Sequence, residues 1–393
     1  MTEDQMLGRW ISRNRRGFAL ATAVGAIALV GALVAGAFVA STAEFRTGRD
    51  ALQQTRAFAA AEYGNSAMRA NWDNGWNTSM VRGDTLVRTY DAGGTTAIVR
   101  VVRLNDGIFL ITSEASAGTG LASGARRRVA SLLKLSIPNV KIKAALTARG
   151  MTKVGGSALM IGRDTLVPGW DCPAPAAGTG VPGLAVPAWE NITLGGTCKN
   201  YMCVQGDPKA IMGAEMADTT TYFSYGDYQW NDLVAMATKI MPPGPHTGVG
   251  PRYVSGACDS GNLLNWGEPN KLVVGTPGPC ENYFPIIYAP GDLKINGDRG
   301  QGILLVNGSL EVQGGFQFYG LIIVRGELRT AGTGGHFTGT VMAANVAVGG
   351  ELTSTNTVSG AATFRYSSCA LMSALRGSAS PVAVRDRAWV ELY

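Results

Sequence analysis

Six cysteines, two histidines and one pair of glutamates are the residues of this 393-residue chain whose types and spacing could do chemistry. The cysteines are Cys172, Cys198, Cys203, Cys258, Cys280 and Cys369. An even count confined to the chain beyond residue 170 fits disulfides in an oxidising compartment. Six cysteines allow about 15 complete pairings. Sequence proximity favours Cys198 with Cys203 and Cys258 with Cys280, which leaves Cys172 for Cys369 as a remainder. Zinc is the alternative use of the thiolates, but there is no C-x-x-C and the two histidines, His246 and His336, lie far apart. Both histidines sit among Gly and Thr, as turn residues do, and no triad forms around them. Glu311 and Glu327 fall within one or two residues of the same position in successive repeats. Paired carboxylates are what glycoside cleavage requires, but a lone pair in a ladder of polar positions is thin support. Asp292, Asn296 and Asp298 bring oxygen ligands to a turn without the spacing or closing Glu of an EF-hand. No P-loop is present, and no nucleophile elbow in a strand–helix context. The expectation is a protein that is not an enzyme and takes no cofactor.

The elements that carry these residues follow from composition and pattern. The length suggests two or three domains. Charged residues make up only 16%, and glycine reaches 53 residues, which suits an exported, turn-rich β protein. The formal net charge is +6. Four arginines (Arg9, Arg13, Arg15, Arg16) against Glu3 and Asp4 place +2 of it before residue 18. The only tight basic run, Arg126-Arg127-Arg128, has no interleaved aromatics, so nucleic acid is not an expected partner.

Residues 18–40, FALATAVGAIALVGALVAGAFVA, contain no charge and are long enough to cross a bilayer as a helix. The positive charges precede this run, which predicts a cytoplasmic N-terminus and an exported bulk. Gly25, Gly31 and Gly36 make the helix slim, and slim surfaces let helices approach closely in lipid.

The junction Arg15-Arg16-Gly17-Phe18-Ala19-Leu20 resembles a type III, prepilin-type leader: basic residues, then Gly, then Phe opening an apolar helix. The stretch 44–62, EFRTGRDALQQTRAFAAAE, is similar to the N-terminal module of PilX-type minor pilins, which ends in an Ala-Ala-Glu segment matched here by Ala60-Ala61-Glu62. The resemblance covers about residues 13–66. It implies that a membrane prepilin peptidase cuts between Gly17 and Phe18, that Phe18 is then methylated, and that the helix leaves the bilayer to pack into a filament core. The implied partners are that peptidase, other pilins with their assembly machinery, and the inner membrane before assembly. The implied location is single-pass inner membrane with the C-terminal part periplasmic, or extracellular within a pilus; any surface ligand is unspecified. Most prepilins carry Glu at the fifth mature position, whereas this chain has Thr22, a departure shared by PilX-type minor pilins and the tip pseudopilin of type II secretion.

Further along, apolar residues at helical spacing extend the first helix to about residue 68. Strand-like runs follow at 85–90, 96–104 and 108–115, with Asn105-Asp106-Gly107 as a hairpin turn. Residues 128–135 fit a strand or a short helix equally. Tyr228 to Met241 carry a helical apolar period ended by Pro242-Pro243. Aligned glycines at 302, 320 and 339 open apolar units of 18, 19 and 21 residues, with a shorter copy at 286–301. Such a period indicates a parallel β-solenoid; a sandwich of regular hairpins is the alternative.

The expected organisation is a leader (1–17), a transmembrane and amphipathic pilin-like helix (18–68), a β-rich head (69–161), an irregular disulfide-containing region with a helix near 228–241 (162–285), solenoid-like repeats (286–366) and a tail (367–393). The fold class is α+β, mainly β. The expected role is structural: a minor pilin-like component of a type IV pilus or related machine, at the tip or in initiation. The alternative is a membrane-tethered extracytoplasmic adhesin or binding module that never enters a filament.

Overall fold

The computed structural model describes residues 15–118, 124–170, 172–176, 178–269, 278–346, 355–384 and 389–392. Residues 1–14 of the expected leader lie outside this set.

One helix, α1 (Arg15–Ala70), runs unbroken for 56 residues, about 84 Å at 1.5 Å per residue. No proline interrupts it, and its first part is rich in alanine and leucine, which lose little on entering a helix. Beyond residue 50 it gains a packed face: Ala57, Ala60, Ala61 and Met68 are buried, a spacing of three, four and seven that lines up one stripe.

That stripe lies on an antiparallel meander of β1 (Thr85–Asp91), β2 (Thr96–Asn105), β3 (Ile108–Ala117) and β4 (Ala125–Ser136). Residues 128–135, ambiguous in sequence, belong to a strand. Alternation sets the inner face: Ala97, Val99 and Val101 of β2 and Phe109 and Ile111 of β3 are buried. Helix and sheet approach so closely at Gly64 that a Cβ there would stand 2.6 Å from Ser113 Oγ and 2.7 Å from Ala97 Cβ. Arg103 shares the buried face because its guanidinium is satisfied by carbonyls. Nε donates to Asn105 O at 3.1 Å, Nη2 to Asp106 O at 3.1 Å, and Nη1 to Met80 O.

Beyond the head stands a parallel β-solenoid with three strands per rung. Strands Arg299–Val306, Phe316–Val324 and Gly335–Ala343 pair in parallel and bend at Gly302, Gly320 and Gly339, which are in register. Their φ values are 107°, 137° and 133°, a region open to glycine. A Cβ at Gly320 would collide with the carbonyl of Gly302, and one at Gly339 with that of Gly320. Before the bend, Phe316, Phe318 and Phe337 point inward; after it, Leu304, Ile322 and Val341 do. The third side is a separate parallel sheet that includes Leu293–Asn296, Leu310–Gln313, Leu328–Thr330 and Thr355–Val358. The parallel pairing throughout excludes a sandwich of hairpins.

The solenoid extends well beyond 286–366. Leu146–Ala148, Met151–Val154 and Leu159–Ile161 form a rung stacked in parallel on residues 341–343, 355–358 and 363–365. Leu184–Val186, Ile192–Leu194 and Val204–Gln205 form the next, and Ala210–Met212 begins another. At the other end Lys239–Ile240 and Gly244–Thr247 stack on residues 287–288 and 293–296. The chain thus enters the stack in its middle, winds to one end, crosses back, and winds from the other end to the middle. Much of 162–285, expected to be irregular, supplies rungs. Its strands are two to four residues long and separated by Gly and Pro, too short to show a period.

The crossing segment covers the outer side of the bent strands. Tyr222, Tyr225, Trp230 and Leu233 pack with Ile303, Leu305, Leu321 and Ile323, which explains why these strands read as continuous apolar runs: both faces are buried. The helix expected near 228–241 is confined to Trp230–Ala235. Tyr228–Gln229 pairs with Ser224–Tyr225 as a hairpin, and Lys239–Ile240 joins the solenoid, so sheet pairing overrides the helical period at both ends.

The final segment, expected as a tail, returns to the head. Helix Ser368–Gly377 packs Leu371, Ala374 and Leu375 on the solenoid. Strands Ser380–Ala383 and Trp389–Leu392 then both pair antiparallel with β4. The solenoid is therefore an insertion between β4 and the last strands of the head sheet.

Candidate functional site

Among the described residues, the longest run of exposed large apolar side chains is in the N-terminal part of α1. Leu20, Val24, Ile27, Val30, Leu33, Val34 and Phe38 are all exposed, and no residue packs near Gly25, Gly31 or Gly36. It is the one helix among the described residues long and apolar enough to cross a membrane. Thr22, at the fifth position after the expected cut, donates its hydroxyl to the carbonyl of Ala19 at 3.0 Å. Arg15, Arg16, Gly17 and Phe18 lie in the first turns of α1.

The polar half of α1 is tied to the head. Ser131 Oγ donates to Asn65 Oδ1 at 3.0 Å, and Arg127 Nη2 to Gln54 Oε1 at 2.6 Å. Arg127 also pairs with Glu391 at 3.1 Å. Phe58 meets Trp389 edge-to-face at 6.2 Å. The basic run is thus spent on structure: Arg126 and Arg128 both bind Glu114. The hydrogen bond from Arg126 is the main reason that the Glu114 carboxyl is held below its ordinary value.

The six cysteines form three disulfides: Cys172 with Cys369, Cys198 with Cys203, and Cys258 with Cys280. The first anchors the loop after the 146–161 rung to helix Ser368–Gly377. The second closes a small loop on the 184–205 rung. The third lies under the far end of the stack, where the buried Asn265 donates to Arg252 O at 3.2 Å and to Asp259 O at 2.8 Å.

The remaining candidates are not brought together as a catalytic set. Glu311 stands in register between Lys294 and Arg329 and pairs with Lys294 at 2.8 Å. The hydrogen bond from Lys294 is the leading cause of a lowered Glu311 carboxyl, the opposite of what a general acid needs. Glu327 is held by Arg329 Nε at 2.8 Å. His246 Nε2 lies 2.7 Å from Pro242 O on an end strand, while His336 is on Gly335–Ala343. Asp292 Oδ1 accepts from Ser309 N at 2.7 Å, a rung-to-rung tie. No cluster of three metal-ligating side chains occurs among the described residues.

Two features escape the sequence patterns. Asn345 and Asn356 are wholly buried in the solenoid. The Cys198–Cys203 loop exposes Met202 and sets Tyr201 against the exposed Trp189 near one end of the stack. A buried asparagine looks like any turn residue in sequence; the short C-x4-C spacing was the only hint of the loop.

The architecture is a long, half-exposed apolar helix on an antiparallel sheet, carrying an inserted β-solenoid. No family model matches the chain, and no curated protein matches it. Among solved structures it is similar to the crystal structure of the competence-associated pilin ComZ from Thermus thermophilus. That match is 13% identical, spans 86% of this chain and 97% of that one, and has a TM-score of 0.27. A likeness at that TM-score carries no argument for fold or function.

Proposed function

We propose that this protein is a minor, pilin-like component of a type IV pilus or a related filament-assembly machine. The observation that carries the reading is the division of α1. One continuous helix is bare and apolar over its first half and packed on a β-meander over its second. A bare apolar helix of this length is stable only in lipid or among other such helices. The prepilin-type junction supplies the step between the two: removal of residues 1–17 by a prepilin peptidase frees Phe18 to lead the helix out of the bilayer. The inner membrane holds the chain before that step, with the head and solenoid on the periplasmic side.

A tip or initiation position fits two features. Thr22 offers no carboxylate to the N-terminal amine of a subunit above, and a buried amine without a partner is costly. The inserted solenoid also adds far more bulk than a closely packed shaft accommodates. Co-expression with a prepilin peptidase tests the reading by mass spectrometry. Phe18 is the expected N-terminus; a cut after Ala40 rejects the reading, and an intact leader rejects it in favour of a tethered binding module.

A further inference from the structure

The loop Gly196–Tyr201 and its neighbours stand on the 184–205 rung, at the end of the stack opposite Gly244–Thr247. Gly195 N donates to Val154 O at 2.8 Å and Thr197 N to Gly156 O at 3.3 Å, so the base of the loop is fixed to the rung beneath. The disulfide between Cys198 and Cys203, both buried, closes it. Inside, Asn200 and Tyr201 adopt φ of 54° and 60° in succession. Two adjacent non-glycine residues in the left-handed region are strained, and such strain persists where the surroundings over-determine it. Here the strain turns Tyr201 back against Trp189, edge-to-face at 5.5 Å and 82°, and leaves Met202 outward. Trp189 is 58% exposed and Met202 73%. The indole is therefore held rigid by its neighbour while much of it stays in water. Glu190, next in the chain, and Lys199 and Asn200 of the loop that carries Tyr201 are exposed, one acid, one base and one amide, with no net charge.

We propose that Trp189, braced by Tyr201 and the Cys198–Cys203 loop, is the stacking platform of a carbohydrate-binding site that takes a pyranose ring. Area decides between a sugar and a protein partner. The exposed part of one indole is on the order of 150 Å², well short of the roughly 800 Å² per partner of a stable protein interface. A single sugar ring matches that size: its apolar C–H face covers the indole and its hydroxyls reach the polar rim. The proposal rests on the pilin-like reading only for how the surface is carried outward; binding itself does not require filament assembly.

The full chain, in lipid nanodiscs free of glycolipid and of glycosidic detergent, is titrated calorimetrically with trisaccharides of glucose, galactose and N-acetylglucosamine. Saturable binding to at least one is expected. Trp189→Ala should weaken it at least tenfold, and Trp189→Phe should restore part of it. Cys198→Ser with Cys203→Ser should also weaken it, because the loop that braces Trp189 is then no longer closed. Absence of binding to all three sugars, or binding untouched by Trp189→Ala in a folded variant, overturns the proposal. Self-association of the wild type that Trp189→Ala abolishes overturns it too, in favour of a second copy of this chain. Trp189→Ala should still be cut after Gly17; sugar binding by a protein that is never cut would sink the filament reading alone.

Discussion

Asn345 and Asn356 exchange two hydrogen bonds in the interior of the solenoid, Asn356 Nδ2 to Asn345 Oδ1 at 2.7 Å and Asn345 Nδ2 to Asn356 Oδ1 at 3.0 Å. Asn356 Oδ1 also accepts from Leu328 N at 2.9 Å, and its Nδ2 donates to Thr152 Oγ1 at 3.3 Å. Asn345 Oδ1 accepts from Gly150 N at 3.1 Å. The pair therefore ties three successive rungs, and it does so at the seam where residues 146–161 stack on residues 340–366. A one-residue slip turns a strand's apolar side chains outward, but a two-residue slip keeps them inside and is not excluded by the apolar pattern alone. A buried, fully bonded amide pair specifies the register because every slipped arrangement leaves polar groups bare. Asn356→Leu should cost about 2–3 kcal/mol by orphaning Asn345 and Leu328 N. Thermal unfolding should show it, and hydrogen exchange should rise first on residues 146–161.

The glycine corners give a second test. Gly320→Ala drives a Cβ into the carbonyl of Gly302 at a φ of 137°, and should cost about 1–3 kcal/mol. Gly107→Ala, in a turn with open space around it, should change stability by less than about 0.5 kcal/mol. Equal losses at both sites would deny the corner its role.

The disulfides should differ in weight. Cys172 and Cys369 are separated by 197 residues and Cys198 and Cys203 by 5. Loop-closure entropy makes the first worth about 5 kcal/mol and the second about 2. Paired serine substitutions compared by denaturant unfolding check the order, and non-reducing peptide mapping should find the three pairs and no free thiol.

Acid should loosen the head sheet through Glu114. Its folded carboxyl stays ionised to lower pH than in the unfolded chain, chiefly because Arg126 donates to it. The stabilisation is therefore complete above the unfolded value, near 4, and fades as pH falls through the lower folded one. The pair lies at the surface, so the effect is under about 1 kcal/mol. Glu114→Gln should flatten that part of the stability–pH curve and lower neutral stability by the same small amount; an unaltered acid limb would contradict the assignment.

Position in the filament is open to direct observation. Immunogold labelling of sheared filaments should mark ends and not shafts. Thr22→Glu, by restoring a carboxylate at the fifth mature position, should increase incorporation along the shaft. Dense label along wild-type shafts would exclude a tip or initiation role.

By itself the sequence determined what is encoded over short stretches. The uncharged run 18–40 can only be a helix in lipid or among helices, and α1 continues to Ala70 without a break. The alternation in 96–104 and 108–115 and the Asn-Asp-Gly turn between them place β2 and β3 within a residue or two. Gly302, Gly320 and Gly339 announce the rung period because only glycine turns the chain there. Tertiary structure alone decided what joins distant segments. The sequence offers no period for rungs of three residues such as Leu146–Ala148 and Leu184–Val186. They are strands because a parallel edge completes their hydrogen bonds: residues 341–343 supply it to Leu146–Ala148, which in turn supplies it to Leu184–Val186. The same holds for Trp389–Leu392, which becomes a strand of the head only because the solenoid returns the chain to β4. Pairing energy between segments far apart in sequence leaves no local pattern in either one, so the insertion of the solenoid into the head was visible only in the fold.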